Sequence, residues 1–98
     1  MLTSKQRAAL RAMANGIDPI MQVGKGGISE NLIKTVSDAL EARELIKLNV
    51  LENSGEDAYD LLQNLAAELG AEPVAVVGRK IVLYRASEKK PVIVLPTK

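Results

Sequence analysis

Ninety-eight residues, 47% hydrophobic and 26% charged, describe one ordinary globular domain. Cysteine and histidine are both absent, which excludes disulfides, thiol nucleophiles and the commonest general base and metal ligand, so no enzyme, cofactor or metal is expected. The net charge of +1 is unevenly spread: residues 1–29 hold four cations against one acid, residues 30–72 three against ten, and residues 73–98 six against one.

That segregation predicts two basic ends sharing one face, with the acidic middle turned away. The plainer alternative is that each block is a solvated surface. The only aromatics are Tyr59 and Tyr84, too few for a platform that stacks bases. No apolar run nears the roughly 20 residues of a membrane span, and no signal-peptide core follows Met1. A cytoplasmic location is expected.

In chain order, Thr3 and Gln6 have capping-box spacing at the start of a helix whose apolar positions are Ala9, Leu10, Met13 and Ile17. Asn15-Gly16 ends it. Arg7 and Arg11 are neighbours one turn apart at the edge of that stripe, either a ligand contact or a solubilising flank. Asp18-Pro19 then turns into a short strand, Ile20 to Val23.

Gly24-Lys25-Gly26-Gly27 follows, a loop nearly bare of side chains except for one cation. Beyond it Ser29 caps an amphipathic helix running to about Arg43. Glycine permits close approach by another backbone, and the first amides of a helix lack internal partners and carry the positive end of its dipole. A phosphate fits such a place. The alternative is a plain strand-to-helix connection in which the glycines only allow a tight turn. A Walker A loop is excluded, because Gly rather than Ser or Thr follows Lys25.

Leu45 to Leu51 is the second strand, with Leu45 and Leu51 on its polar parity, so both sheet faces are expected to be partly covered. Asn53-Ser54-Gly55 is a loop, and Glu56-Asp57 opens a third helix that Gly70 closes. Val74 to Val77 and Lys80 to Arg85 form a hairpin around Gly78-Arg79, with glycine where a type II′ turn needs it. Arg79 and Lys80 stand at its tip and Arg85 at its far end. For Lys80 and Arg85 the competing role is protection of a sheet edge. Val92 to Leu95, between Pro91 and Pro96, is either an edge segment or a mobile tail. The fold class is therefore α/β, ordered α-β-α-β-α-β-β, with a mixed four-stranded sheet backed by helices.

Five blocks in this order resemble the CRM domain family (chloroplast RNA splicing and ribosome maturation), in its stand-alone bacterial, YhbY-like form. They are residues 2–7, 22–27, 39–47, 68–72 and 77–85 (Leu-Thr-Ser-Lys-Gln-Arg, Gln-Val-Gly-Lys-Gly-Gly, Ala-Leu-Glu-Ala-Arg-Glu-Leu-Ile-Lys, Glu-Leu-Gly-Ala-Glu and Val-Gly-Arg-Lys-Ile-Val-Leu-Tyr-Arg). The resemblance implies a single RNA-binding domain over residues 1–86, with 87–98 as a tail or edge segment. It also implies sheet order 1-2-4-3 and a fold similar to the C-terminal domain of translation initiation factor three. The family's GxxG motif falls on Gly24, Lys25, Gly26 and Gly27. With it come a role in binding RNA backbone and an association with precursors of the large ribosomal subunit.

The expected contact set joins that loop and Ile28 to Lys5, Arg7, Arg11, Arg79, Lys80 and Arg85. Backbone amides of Gly26, Gly27 and Ile28 would approach phosphates, and Lys25 would add charge. Ribosomal RNA and the pre-ribosomal particle are the expected partners. The alternative is a protein-interaction module that docks through the tail or the acidic helices.

Overall fold

The computed structural model describes residues 2–24, 26–55 and 57–96. Its elements are α1 (Ser4–Ala14), β1 (Met21–Val23), α2 (Glu30–Arg43), β2 (Leu45–Val50), a 3-10 turn (Glu52–Ser54), α3 (Ala58–Leu69), β3 (Glu72–Val77) and β4 (Lys80–Tyr84). The strands form one sheet in the order β1-β2-β4-β3, as the resemblance implies. β1 runs parallel to β2, while β4 is antiparallel to both of its neighbours.

Alternation along the strands explains why both faces are covered. Ile46, Leu48 and Val50 of β2 and Ile81 and Leu83 of β4 face α2 and α3, packing with Val36, Leu40, Leu61 and Leu65. Leu45, Val82 and Tyr84 point the other way and meet Leu10 and Ala14 of α1. Leu45, off the strand's apolar parity, is thus the contact that seats the first helix. Each large apolar side chain so buried stabilises the fold by about 1.5–3 kcal/mol.

The local signals account for most element ends. Thr3 and Gln6 form both halves of the capping box. Ser29 Oγ accepts from the Leu32 amide at the start of α2. Asp57 caps α3, which ends at left-handed Gly70; Glu56, expected at its start, lies outside the described residues. The stripe of α1 differs from expectation. Leu10 and Ala14 are buried, whereas Met13 is 41% exposed. The pair one full turn apart faces the sheet and rolls Met13 to the margin.

β3 begins at Glu72, two residues before the expected start, and so contains Pro73. An edge strand tolerates a proline, and the register shift between Pro73 and Ala75 accommodates it. Val77 and Lys80 pair across the hairpin turn. Gly78 has φ +61°, and Arg79 is not among the positive-φ residues, the pattern of a type II′ turn. After β4, residues 87–96 form no strand but return across the α1 side, where Ile93 and Leu95 pack. Gln6 Nε2 donates to the Pro96 carbonyl at 3.0 Å. No helix among the described residues is long and apolar enough to cross a membrane.

Candidate nucleic-acid interface

Strand directions decide what stands beside the glycine loop. β1 and β2 are parallel, and β3 and β4 are joined by their hairpin, so one end of the sheet gathers the exits of β1 and β2 and the Gly78-Arg79 tip. The Leu51 amide donates to the Val23 carbonyl at 2.9 Å, and the Val50 amide to the Arg79 carbonyl at 2.7 Å. Arg79 adds its guanidinium: Nε donates to Val50 O at 2.8 Å and Nη2 to Leu51 O at 2.9 Å. The hairpin tip is therefore tied to the strand end beneath the glycine loop.

The loop closes on itself. The Gly27 amide donates to the Gly24 carbonyl at 3.2 Å, a four-residue turn. That changes one expectation, because this amide already has a partner inside the loop. Gly26 has φ +102° and Gly27 φ +58°, values that favour glycine. Gly26 is exposed, and a Cβ built on it meets nothing within 4 Å. Ile28 is half-buried against the α2–α3 core, which fixes the loop where it joins the helix. Lys25 lies outside the described residues. Beside the loop, a groove of about 290 Å³ is lined by Gln22, Gly24, Gly27, Ser29, Asn31 and Thr35 among others. Its lining is about equally polar and apolar, with Met21, Val23 and Leu32 also contributing, and the capped start of α2 opens into it.

The other expected contacts divide. Lys80 is exposed where β4 begins, at the loop end. Lys5 and Arg11 are exposed on α1. Arg7 is half-buried at the outer edge of β3, where Nε donates to Pro73 O at 3.4 Å. Arg85 leaves this surface altogether. It lies just past the far end of β4, and its guanidinium faces α2 and α3, donating to Leu69 O at 3.0 Å, Ser37 O at 2.9 Å and Ser37 Oγ at 3.1 Å. Strand parity sends Arg85 to the side of Ile81 and Leu83, and the C-terminal carbonyls of α3 attract a cation there. Arg85→Ala should lower unfolding free energy by about 2 kcal/mol in urea titrations, since it strips charged donors from buried-side carbonyls. Affinity for nucleic acid should not change.

The sequence reading missed Glu44. α2 ends at Arg43 and β2 starts at Leu45, so one residue must reverse the chain. That residue is a glutamate with φ +67°, only 1% exposed, where glycine would be the ordinary choice. Its Oε1 accepts from the amides of Val92 and Ile93, both at 2.7 Å, and Oε2 from the Ser87 amide at 2.8 Å. Glu41, one turn earlier, accepts from Ser87 Oγ and from the Glu88 and Lys89 amides. Two carboxylates thus hold the returning tail against the domain. The detectable signal was a one-residue helix-to-strand connection without a glycine.

Burial opposes the charge on Glu44, yet the amides of Ile93, Ser87 and Val92 outweigh it and hold the carboxyl below its ordinary value of 4.5. The Ser87 hydroxyl, then the Glu88 amide, do the same for Glu41. A depressed carboxylate stabilises the fold above the unfolded value and loses that contribution as pH falls through the folded one. Amide exchange at Ser87, Val92 and Ile93 should therefore be slow above pH 4.5 and lose protection progressively below it. A flat acid profile for these amides would contradict the assignment.

Comparison with known proteins identifies the family and the fold. The model of the CRS1 / YhbY (CRM) domain matches residues 2–85. The chain is 47% identical to "Probable RNA-binding protein YqeI" of Bacillus subtilis over 96 residues, covering 98% of this chain and all of that one. It is 32% identical over 88 residues to a Haemophilus influenzae protein named "RNA-binding protein", covering 90% of this chain and 89% of the relative. Among solved structures, the solution structure of SAV1595 from Staphylococcus aureus, described as a hypothetical protein and candidate RNA binder, superposes with a TM-score of 0.82. It shares 50% identity, over 98% of this chain and all of that one. The chain belongs to the CRS1 / YhbY (CRM) domain family.

Proposed function

We propose that this protein binds RNA by gripping the sugar–phosphate backbone at the Gly24–Gly27 loop, with Lys80 beside it and Lys5, Arg7 and Arg11 on α1 extending the contact. The observation that carries this reading is Gly26: a bare, exposed residue at φ +102°, just before a helix start capped by Ser29. Phosphate contacts of this kind position RNA without reading its bases. Arg79 acts here as a brace that ties the hairpin tip to Val50 and Leu51. Two of the most similar relatives carry RNA-binding names, which supports the substrate class. The finer reading is that the RNA is ribosomal, met in large-subunit precursors in the cytoplasm; it rests on the family's stand-alone bacterial form.

The test is a fluorescence-anisotropy titration of the full chain against labelled single-stranded RNA at several salt concentrations. Affinity should fall linearly on logarithmic axes, with a slope of about −0.7 for each phosphate contacted. Binding that ignores salt, or no binding at low salt, would overturn the reading. Crosslinking in cells, followed by sequencing of the attached RNA, tests the ribosomal assignment. Recovery of large-subunit precursor sequences is expected.

A further inference from the structure

α1 covers only part of its sheet face. The buried contacts Leu45, Val74, Val82 and Tyr84 lie beneath the helix, toward the end away from the hairpin tip. Nearer the glycine loop a second set of residues stands in register across three strands: Gln22 of β1 beside Asn49 of β2, and Asn49 beside Lys80 of β4. Lys47 occupies the next position on that face of β2. Their side is fixed by parity, because Met21, Val23, Leu48, Val50 and Ile81 all join the α2–α3 core. Gln22 and Lys80 are exposed, and Lys47 and Asn49 are half-buried. None of the four side chains is engaged in a hydrogen bond or ion pair among the described residues. No carboxylate stands in the row of Gln22, Asn49 and Lys80, which Val77 completes, and the strand partner of Lys47 is Val82, buried beneath α1.

We propose that this open half-face reads bases of single-stranded RNA, with the amides of Gln22 and Asn49 on base edges and Lys47 and Lys80 on the adjoining phosphates. The proposal rests on the reading that the glycine loop grips RNA backbone. Gln22 is separated from Gly24 by Val23 alone, so a strand held at the loop continues directly onto the row. A side-chain amide presents a donor and an acceptor side by side, the pattern that matches a base edge in two hydrogen bonds. Neighbouring strands are about 4.8 Å apart, so Gln22 to Lys80 spans about 10 Å. That is room for two or three splayed bases, as on other four-stranded RNA-binding sheets. Here hydrogen bonding takes the place of stacking: Tyr84 shares the face but is only 8% exposed, in the cluster beneath α1. Duplex RNA is a poor occupant, because its major-groove edges lie out of reach in a deep, narrow groove and its shallow minor groove is recognised mostly by shape and 2′-hydroxyl contacts.

The test compares the four homopolymeric oligoribonucleotides and one RNA duplex by anisotropy at a single salt concentration. The native chain should separate the best and worst homopolymers by about tenfold, the discrimination one good bidentate contact supplies. Gln22→Ala with Asn49→Ala should bring all four within about twofold and leave duplex affinity unchanged. Gln22→Ala alone, at an exposed position, should remove part of the discrimination and guards against a fold defect in the pair. Lys47→Ala should reduce the salt slope by about 0.7 and keep the ranking of homopolymers. Equal binding of all homopolymers by the native chain, or undiminished discrimination in the amide variants, overturns the proposal. Gly26→Asp serves as the separate control. If that variant binds every RNA as the native chain does, the backbone-grip reading fails, whatever the amide variants show.

Discussion

Replacing Glu44 with alanine should lower the unfolding free energy by about 3 kcal/mol, because hydrogen bonds to a buried charged group contribute about 1.5–3 kcal/mol each and part of that loss is recovered by water. The site explains the size. Three backbone donors, Ser87, Val92 and Ile93, converge on one carboxylate that is 1% exposed. Without it the tail has no anchor at that point, and Ile93 and Leu95 lose their hold on the α1 cluster. Alanine also keeps the positive φ that glutamate tolerates here, a conformation costing about 1–3 kcal/mol unless the surroundings hold it in place. Domains of this size have only about 5–15 kcal/mol to lose, and about 4–8 °C of melting temperature goes with each kcal/mol. A melting temperature lowered by roughly 12 °C or more is the expected result. Glu44→Gly separates the two contributions, since it relieves the backbone while still removing the carboxylate. If Glu44→Ala melts within about 2 °C of the native chain, at most half the shift of a single kcal/mol, the anchoring role is wrong.

Glu44 also marks where reading the sequence stopped. Elements with local causes were legible: the Thr3 box, the Ser29 cap, the left-handed Gly70 and the Gly78 turn each follow from residues within four positions. Parity along β2 even indicated a second covered face, through Leu45. Interactions spanning some 40 residues left no periodic trace. Val92 to Leu95 read as either an edge segment or a loose tail, because nothing nearby shows that Glu44 receives the Val92 and Ile93 amides, or that Glu41 holds the Glu88 amide just before them. Arg85 had the same problem. Counted by charge, it belongs to a basic end; placed by parity and by the carbonyls of Leu69 and Ser37, it braces two helices. The glycine loop was legible as a position and a composition, whereas the bond from the Gly27 amide to the Gly24 carbonyl required coordinates.

Gly26→Asp should weaken RNA binding at least tenfold and lower the melting temperature by only the few degrees that strain at a single loop residue costs. Two effects act together. At φ +102° the backbone sits where side chains are strained, so any replacement pulls the loop toward another shape. A carboxylate about 4 Å from a phosphate adds a repulsion of up to about 4 kcal/mol before salt screening, and tenfold in affinity needs only about 1.4 kcal/mol of it. The space around Gly26 is open, so the fold has no clash to absorb. Gly26→Ala isolates the first effect and should cost severalfold in affinity. Gly24→Ala isolates bareness without strain: its φ is not positive, and a Cβ there meets Leu51 Cδ1 at 3.6 Å, an ordinary contact. We expect Gly24→Ala to bind nearly as the native chain does, because the loop needs glycine for conformation at Gly26 more than for emptiness at Gly24. Equal losses at both positions would instead mean that close approach of the RNA backbone governs the whole turn. Unchanged binding in Gly26→Asp would remove the loop from the interface and leave α1 and the open sheet face to account for any RNA held.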